Sequence, residues 1–250
     1  MKGIVAFLLA VGLVGGGLWL SDGLGSFQAW LFGAGLIGLV GLSVESFLGQ
    51  PSSLEAGDQY QAFNLWVAPG LLLVAGLWLI QVIPAESRPL VAVAGGATMA
   101  ALLLGLRAGL TTGGRYYRIG RFVGSLILYL LCFLLFALIY HTKERSLLTA
   151  TATGLVALLA ALEALRSGPG VRGAGWRLAA IGALVVAETT WALNYWPVSG
   201  LIGGAVLLLT FYVFAGLLLA LQEGALERRV LAEYGTVGVA GFLVILWAVI

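Results

Sequence analysis

Glu188 is the residue whose position in the sequence most favours chemistry. It lies in the run AETTW at residues 187–191, inside an apolar stretch that predicts a membrane helix over residues 178–196. A charge at the centre of a bilayer costs about 3 kcal/mol even on lenient insertion scales, so such residues usually face a helix bundle or a wet cavity. Burial in lipid also disfavours the charged form of a carboxyl group. Glu188, near the middle of this stretch, is therefore a candidate for binding a proton, a cation or an amine.

Helical spacing surrounds this carboxyl with polar and aromatic side chains. Residues three and seven positions on, Trp191 and Tyr195, share its face, and Thr190 and Asn194 lie on the adjoining one. The predicted lining of a solute or proton site consists of Glu188, Thr189, Thr190, Trp191, Asn194 and Tyr195. The alternative is a protonated glutamate that is hydrogen-bonded for packing alone.

Two further groups of charged residues lie at predicted helix ends. Arg107 and Glu163 fall at the same membrane surface, where they could form an ion pair or each extend separately to the headgroups. The segment that contains Arg115, Arg118 and Arg121 alternates basic and aromatic residues, which favours contact with anionic lipid headgroups. Ordinary anchoring by basic residues, or a headgroup site for a phospholipid substrate, would give the same pattern.

The composition predicts the elements that must position these residues. Of 250 residues 61% are hydrophobic and only 10% are charged, whereas soluble domains have roughly a quarter charged residues. A membrane span needs about 20 mostly apolar residues. Nine such stretches predict an all-α, polytopic helical bundle that forms a single integral membrane domain over residues 1–250. The predicted helices cover residues 3–20, 27–44, 62–83, 89–106, 122–140, 147–165, 178–196, 198–222 and 231–250.

Basic residues predict the orientation of these helices. With the N-terminus inside, ten of the 13 Lys and Arg residues fall on the cytoplasmic side. This bias predicts a cytoplasmic N-terminus and an external C-terminus in the inner membrane of a bacterium. The count falls to eight if helix two, with the acids Glu45, Glu55 and Asp58 near and beyond its end, is re-entrant or interfacial.

Glycine is abundant, with 37 residues, and much of it lies within the predicted spans at helical spacing. Small faces of this kind let helix backbones approach closely in lipid. They favour packing within the bundle, and homo-oligomerisation is the alternative. The glycines with such spacing are Gly12, Gly16, Gly35, Gly38, Gly41, Gly200, Gly204, Gly235, Gly238 and Gly241.

Several chemistries conflict with the residue inventory. A retinal Schiff base needs a lysine within a span, whereas Lys2 and Lys143 both lie at helix ends. Haem ligation by two histidines is excluded because His141 is the only histidine, and Cys132 is the only cysteine, so no thiolate metal cluster can form. The net charge of +2 gives no basic field for nucleic acid. We expect neither a cofactor nor a metal.

The sequence is compatible with three hypotheses about function. The first, which the sequence favours most, is a small-solute or proton-coupled carrier or channel that uses Glu188, because an acid in the middle of a span is costly to keep without a use. The second is a structural or accessory membrane subunit that binds lipid or a partner protein, which the sparse polar chemistry favours. The third is a membrane enzyme acting on a lipid, which needs a cleft that brings Arg107, Arg115 or Arg118 near Glu45 or Glu163. An enzyme is the less favoured class.

Overall fold

The computed structural model describes residues 2–21, 24, 26–48, 66–110, 116–142, 146–166 and 174–249. Within these ranges the chain forms nine α-helices and a short 3₁₀ turn, Ala85–Ser87. The prediction of an all-α, multi-pass bundle is confirmed. Arg115, Glu55 and Asp58 lie outside the described residues. The helices are α1 Lys2–Leu20, α2 Ser26–Leu48, α3 Val67–Val82, α4 Arg88–Leu110, α5 Tyr117–Thr142, α6 Ser146–Arg166, α7 Ala174–Leu193, α8 Gly200–Gln222 and α9 Arg228–Val249.

Eight of these nine described helices are long and apolar enough to cross a membrane. The exception is α3, which has 16 residues within the described part of the chain. Helix two is an unbroken helix of 23 residues, so by length and composition the short apolar helix is α3 rather than α2. The interfacial alternative for helix two stays a prediction. The acid Glu45 of α2 lies within the last turn, where the carboxylate accepts a hydrogen bond from the indole N–H of Trp66 at 2.9 Å.

The first 128 residues form one compact unit, Met1–Leu128. In it α1 packs against α2, α3 and α4. Helices α1 and α4 approach closely where small residues meet. A Cβ added at Gly15 would lie only 3.3 Å from the carbonyl oxygen of Ala92, so a larger residue at this position would crowd the neighbouring helix. The buried side chain of Leu18 fills the space beside Gly76 and Gly95. This core holds few polar groups.

The second compact unit, Tyr129–Ile250, contains the second half of α5 and helices α6 to α9. The unit is built around the pair α6 and α7, with α8 against both and α9 against α8. None of the described side chains of α9 is buried, so this helix lies at the edge of its unit. The prediction of a single domain over the whole chain stays a prediction.

Glycines on α8 let the end of α5 pack closely in this second unit. A Cβ at Gly203 would overlap the ring of Tyr140, and one at Gly204 would lie 2.8 Å from the Cα of Ala137. The Tyr140 side chain is buried, and its hydroxyl group donates a hydrogen bond to the carbonyl oxygen of Leu193, with 2.6 Å between the two oxygens. This contact ties the end of α7 to α5.

Candidate functional site

Glu188 is the fifteenth of the twenty residues of α7. At a rise of 1.5 Å per residue, its Cα lies about 7.5 Å from the end of the helix at Leu193. The prediction that it occupies the midpoint of its helix is wrong, because α7 begins at Ala174 rather than 178 and ends at Leu193 rather than 196. Glu188 therefore lies inside the helix but nearer to its C-terminal end.

The side chain of Glu188 is exposed on the outer face of α7. Leu184, Trp191 and Tyr195 share this face and are 60%, 55% and 81% exposed. Glu188 is therefore not enclosed against α6, and the wet cavity expected beside it stays a prediction. The reason is that α7 packs on α6 through small residues on its opposite face, where a Cβ at Gly154 would lie 3.1 Å from the Cβ of Ala187.

The predicted polar lining divides between two faces of α7. Thr190 is fully buried against α6, where its hydroxyl lies 2.8 Å from that of Thr153. The hydroxyl of Thr189, which is partly buried, donates to the carbonyl oxygen of Val185 on its own helix. The two threonines therefore have hydrogen bonds within the chain, and neither faces outward with Glu188.

Asn194 begins the turn that follows α7. Its backbone N–H still donates to the carbonyl oxygen of Thr190 at 3.0 Å. Its side-chain nitrogen is buried and has no hydrogen-bond partner among the described residues. The neighbouring carbonyl groups of Leu193 and Trp196 lie 2.6 and 3.2 Å from the hydroxyl of Tyr140. Asn194 therefore faces the interior of its unit, in contrast to Tyr195.

Arg107 and Glu163 belong to different compact units, and their ion pair stays a prediction. Arg107 is exposed at the end of α4 with its guanidinium group 5.1 Å from the centre of the Phe47 ring. Glu163 is buried near the end of α6. The first unit brings Arg107 near the last turn of α2, which also holds Glu45. This is the part of the structure that comes nearest to the cleft expected of a lipid enzyme.

The basic segment at the start of α5 is arranged along the helix surface. Arg118 is exposed, and so are the neighbouring Tyr116 and Ile119, at 63% and 58%. Arg121 donates to the hydroxyl of Tyr117 one turn earlier, at 3.0 Å, so part of its hydrogen-bonding capacity is used locally. Arg118 and Arg121 are at a helix end where they can reach headgroups. Their contact with lipid stays a prediction.

Sequence reasoning missed a group of tyrosines in the second unit. Tyr129, Tyr212 and Tyr234, from α5, α8 and α9, form what we call the tyrosine cluster. The ring centres of Tyr129 and Tyr212 are 5.6 Å apart, and those of Tyr212 and Tyr234 are 5.8 Å apart. The available signal was that Tyr129 and Tyr212 lie in the middle of apolar runs, whereas tyrosines of membrane helices concentrate at the interfaces. Which runs are neighbours is not visible in the sequence.

Comparison with known proteins gives the chain a family but no activity. Neither the curated proteins nor the solved structures include a significant match to this chain. One family model matches almost the whole length, over residues 6–248. It therefore covers the elements of both compact units, from α1 to α9. The chain belongs to this family, described as "Protein of unknown function (DUF5656)".

Proposed function

We propose that this protein is an accessory membrane subunit that binds a partner protein within the bilayer through the outer face of α7. The observation that carries the proposal is the exposed carboxyl group of Glu188 inside an apolar helix. The partner's spanning helix carries a lysine or arginine at the depth of Glu188. Oppositely charged groups within the bilayer typically pair with one another.

The cost of leaving Glu188 in lipid supports this assignment. A carboxylate at the centre of a spanning helix costs about 3 kcal/mol on insertion scales, and the cost falls toward the membrane surface. Glutamate has a shorter side chain than the lysine and arginine residues that commonly reach the headgroups from within a span. A basic group on a neighbouring helix would offset the remaining cost.

The spacing of the outer face also fits a helix–helix contact. The exposed residues Ile181, Leu184, Glu188 and Trp191 follow intervals of three, four and three, which is the pattern of a seam between two packed helices. The exposed Tyr195 continues the same intervals just beyond the helix end. A central charge flanked by large apolar side chains gives such a seam both affinity and register.

A second copy of the chain fits this face less well than a different protein. Two copies in one bilayer have the same orientation, so a two-fold axis along the membrane normal would place each α7 beside a parallel α7. The same patch then meets itself across the axis. Glu188 would face Glu188, and like charges repel. The glycine pattern leaves a homo-oligomer as the alternative, so the test must distinguish a second copy of this chain from a different protein.

Site-specific photo-crosslinking tests the proposal. A photoreactive amino acid at Leu184, one turn from Glu188, should give an adduct with a second protein in native membranes. Sequencing of the adduct should place it in a spanning helix within about one turn of a lysine or arginine. Glu188→Gln should remove the adduct, whereas Glu227→Gln, which changes another exposed acid, should leave it. A crosslink that forms only with lipid or with a second copy, or that survives Glu188→Gln, overturns the proposal.

The carrier hypothesis depends on the same carboxyl group. A transport assay distinguishes it from the accessory role. A proton-coupled carrier should move its solute in vesicles that contain this protein alone, and Glu188→Gln should abolish that flux. An accessory subunit should give no flux by itself. The exposed orientation of Glu188 favours the accessory role.

Location in the inner membrane with the N-terminus inside is part of the proposal. Reporter fusions at both ends of the chain measure this orientation. The charge bias predicts a cytoplasmic reporter signal at the N-terminus and an external one at the C-terminus.

A further inference from the structure

A groove runs between α1 and α2, two helices of the first unit that are long and apolar enough to cross a membrane. Its volume is about 640 Å³. Val5, Leu9 and Leu42 along it are each more than half exposed, whereas Ala6 is buried. The groove is therefore an apolar channel that is open along its length. Its lining includes Val5, Leu9 and Leu13 of α1, and Leu39, Leu42 and Ser46 of α2.

The two serines of the groove keep their hydrogen bonds within α2. Ser43 donates its hydroxyl to the carbonyl oxygen of Leu39 at 2.9 Å, and Ser46 donates to that of Leu42 at 2.8 Å. An apolar group can therefore lie beside these hydroxyls without leaving a donor unpaired. Serine is also small, so these two positions leave space in the groove. A hydrocarbon chain fits this lining better than a polar solute does.

Glycines extend the same surface beyond the groove. Gly16 lies one turn beyond Leu13 on α1, and Gly35 lies one turn before Leu39 on α2. Both glycines are exposed, and a Cβ added at either would have open space around it. They differ in this from Gly15, which closely approaches α4. Gly16 and Gly35 therefore leave room for a group from outside the described chain.

The groove has the length and direction of one lipid acyl chain. Val5 and Ser46 lie within one turn of the helix ends at Lys2 and Leu48, so this end of the groove is the one near a membrane surface. Leu13 lies about 12 Å deeper along α1, at a rise of 1.5 Å per residue. One leaflet contributes about 15 Å of hydrocarbon, which is half of the bilayer core. The groove therefore spans most of one leaflet.

A basic group lies at the surface end of the groove. Ser46 is followed by Phe47, and the guanidinium group of Arg107 lies 5.1 Å from the centre of the Phe47 ring. Arg107 is exposed and forms no ion pair with an acid that the structure describes. The acid of the same turn of α2, Glu45, instead accepts a hydrogen bond from the indole N–H of Trp66. The positive charge of Arg107 can therefore attract an anionic group at this end.

We propose that the groove between α1 and α2 binds one acyl chain of an anionic phospholipid, whose phosphate pairs with Arg107. The chain enters from the surface end and packs against Val5, Leu9 and Leu42, while the headgroup stays at the level of Arg107. A basic residue near the membrane surface favours an anionic headgroup over a zwitterionic one. This site belongs to the first unit and does not involve the outer face of α7, so it can fail or hold independently of the accessory role.

Native mass spectrometry of the purified full-length chain tests the headgroup. Phosphatidylglycerol and phosphatidylcholine with identical acyl chains are titrated separately. The chain should retain one phosphatidylglycerol about fivefold more tightly than phosphatidylcholine, as expected for one basic residue near the membrane surface. Arg107→Gln should remove this preference, and Arg177→Gln, which changes another exposed arginine, should keep it. Equal retention of the two lipids, or a preference that Arg107→Gln leaves unchanged, overturns the proposal.

A phosphatidylglycerol with a photoreactive group in one acyl chain tests the groove. It should label peptides of α1 and α2 in preference to those of the other helices. Helical side chains lean toward the N-terminus, so the ring in Gly16→Phe would cover the groove near Leu13 and should lower this labelling severalfold. The matched control is Gly235→Phe on α9, where a Cβ also has open space, so both variants should keep the helical circular dichroism spectrum.

Labelling that is even among the helices, or that Gly16→Phe leaves unchanged, overturns the proposal. A photoreactive amino acid at Leu42 distinguishes the other occupants in native membranes. An adduct with phospholipid is the expected result, and an adduct with a second protein or a second copy of the chain overturns the assignment to an acyl chain.

Discussion

Two polar residues stand two positions apart on α7 and point to opposite faces. Thr190 is buried against α6, and its hydroxyl lies 2.8 Å from that of Thr153. Glu188 is exposed beside Leu184 and Trp191. The inner face is closed and has its hydrogen bonds within the chain, whereas the outer face exposes a carboxyl group. The contrast separates polar residues that hold the bundle together from one available to a partner.

The largest effect on the free energy of unfolding should come from placing a larger side chain in the contact between α6 and α7. A Cβ at Gly154 would lie 3.1 Å from the Cβ of Ala187 and 3.5 Å from the carbonyl oxygen of Ala183. Gly154→Leu should therefore lower the free energy of unfolding by about 3 kcal/mol, as expected for overpacking. Detergent-induced unfolding followed by tryptophan fluorescence measures it. The control Leu155→Ala changes the adjacent residue, which is 57% exposed, and should have an effect within about 0.5 kcal/mol.

A smaller effect on the free energy of unfolding should come from removing the hydroxyl groups of Thr153 and Thr190. Thr190→Val and Thr153→Val keep the side-chain shape and remove one partner each. Each should cost about 1 kcal/mol, and the double variant should show a coupling energy of about 0.6 kcal/mol, as measured for hydrogen bonds between membrane helices. Strictly additive single changes would mean that each hydroxyl donates to the carbonyl oxygen within reach on its own helix, and that neither donates to the other.

The smallest effect on stability should come from the outer face. Glu188→Gln should change the free energy of unfolding of the isolated chain by less than about 0.5 kcal/mol, because the Glu188 side chain is exposed on the outer face of α7. The same unfolding assay measures it. A loss above about 1 kcal/mol would show that Glu188 is held by its own chain, and the contrast with Thr190 would then disappear.

The helices themselves could be predicted from the sequence because lipid imposes a simple length and composition rule. Each of the nine apolar runs overlaps one observed helix of the described chain. The helix ends were harder, and the shift of α7 moved Glu188 from the middle of a span toward one end. Ends depend on caps and turns, such as the contact of Tyr140 with Leu193, that join distant residues.

The orientation of each side chain could not be predicted from one helix alone. Spacing correctly grouped Glu188 with Trp191 and Tyr195, but it did not show that this face points outward. That depends on the small residues through which α7 meets α6, and on which helices are neighbours. The tyrosine cluster was missed for the same reason, since its three members come from three different helices and Tyr129 is more than 80 residues from the other two.

A charge-reversal pair tests the central claim most directly, once the crosslinked peptide from the Leu184 position has identified the basic residue of the partner. Glu188→Lys alone should abolish the adduct, and replacing the partner's basic residue with glutamate should restore it. Restoration by the double reversal is the result that the account predicts. An adduct that Glu188→Lys leaves intact, or that the second reversal fails to restore, would contradict a charge pair on the outer face of α7.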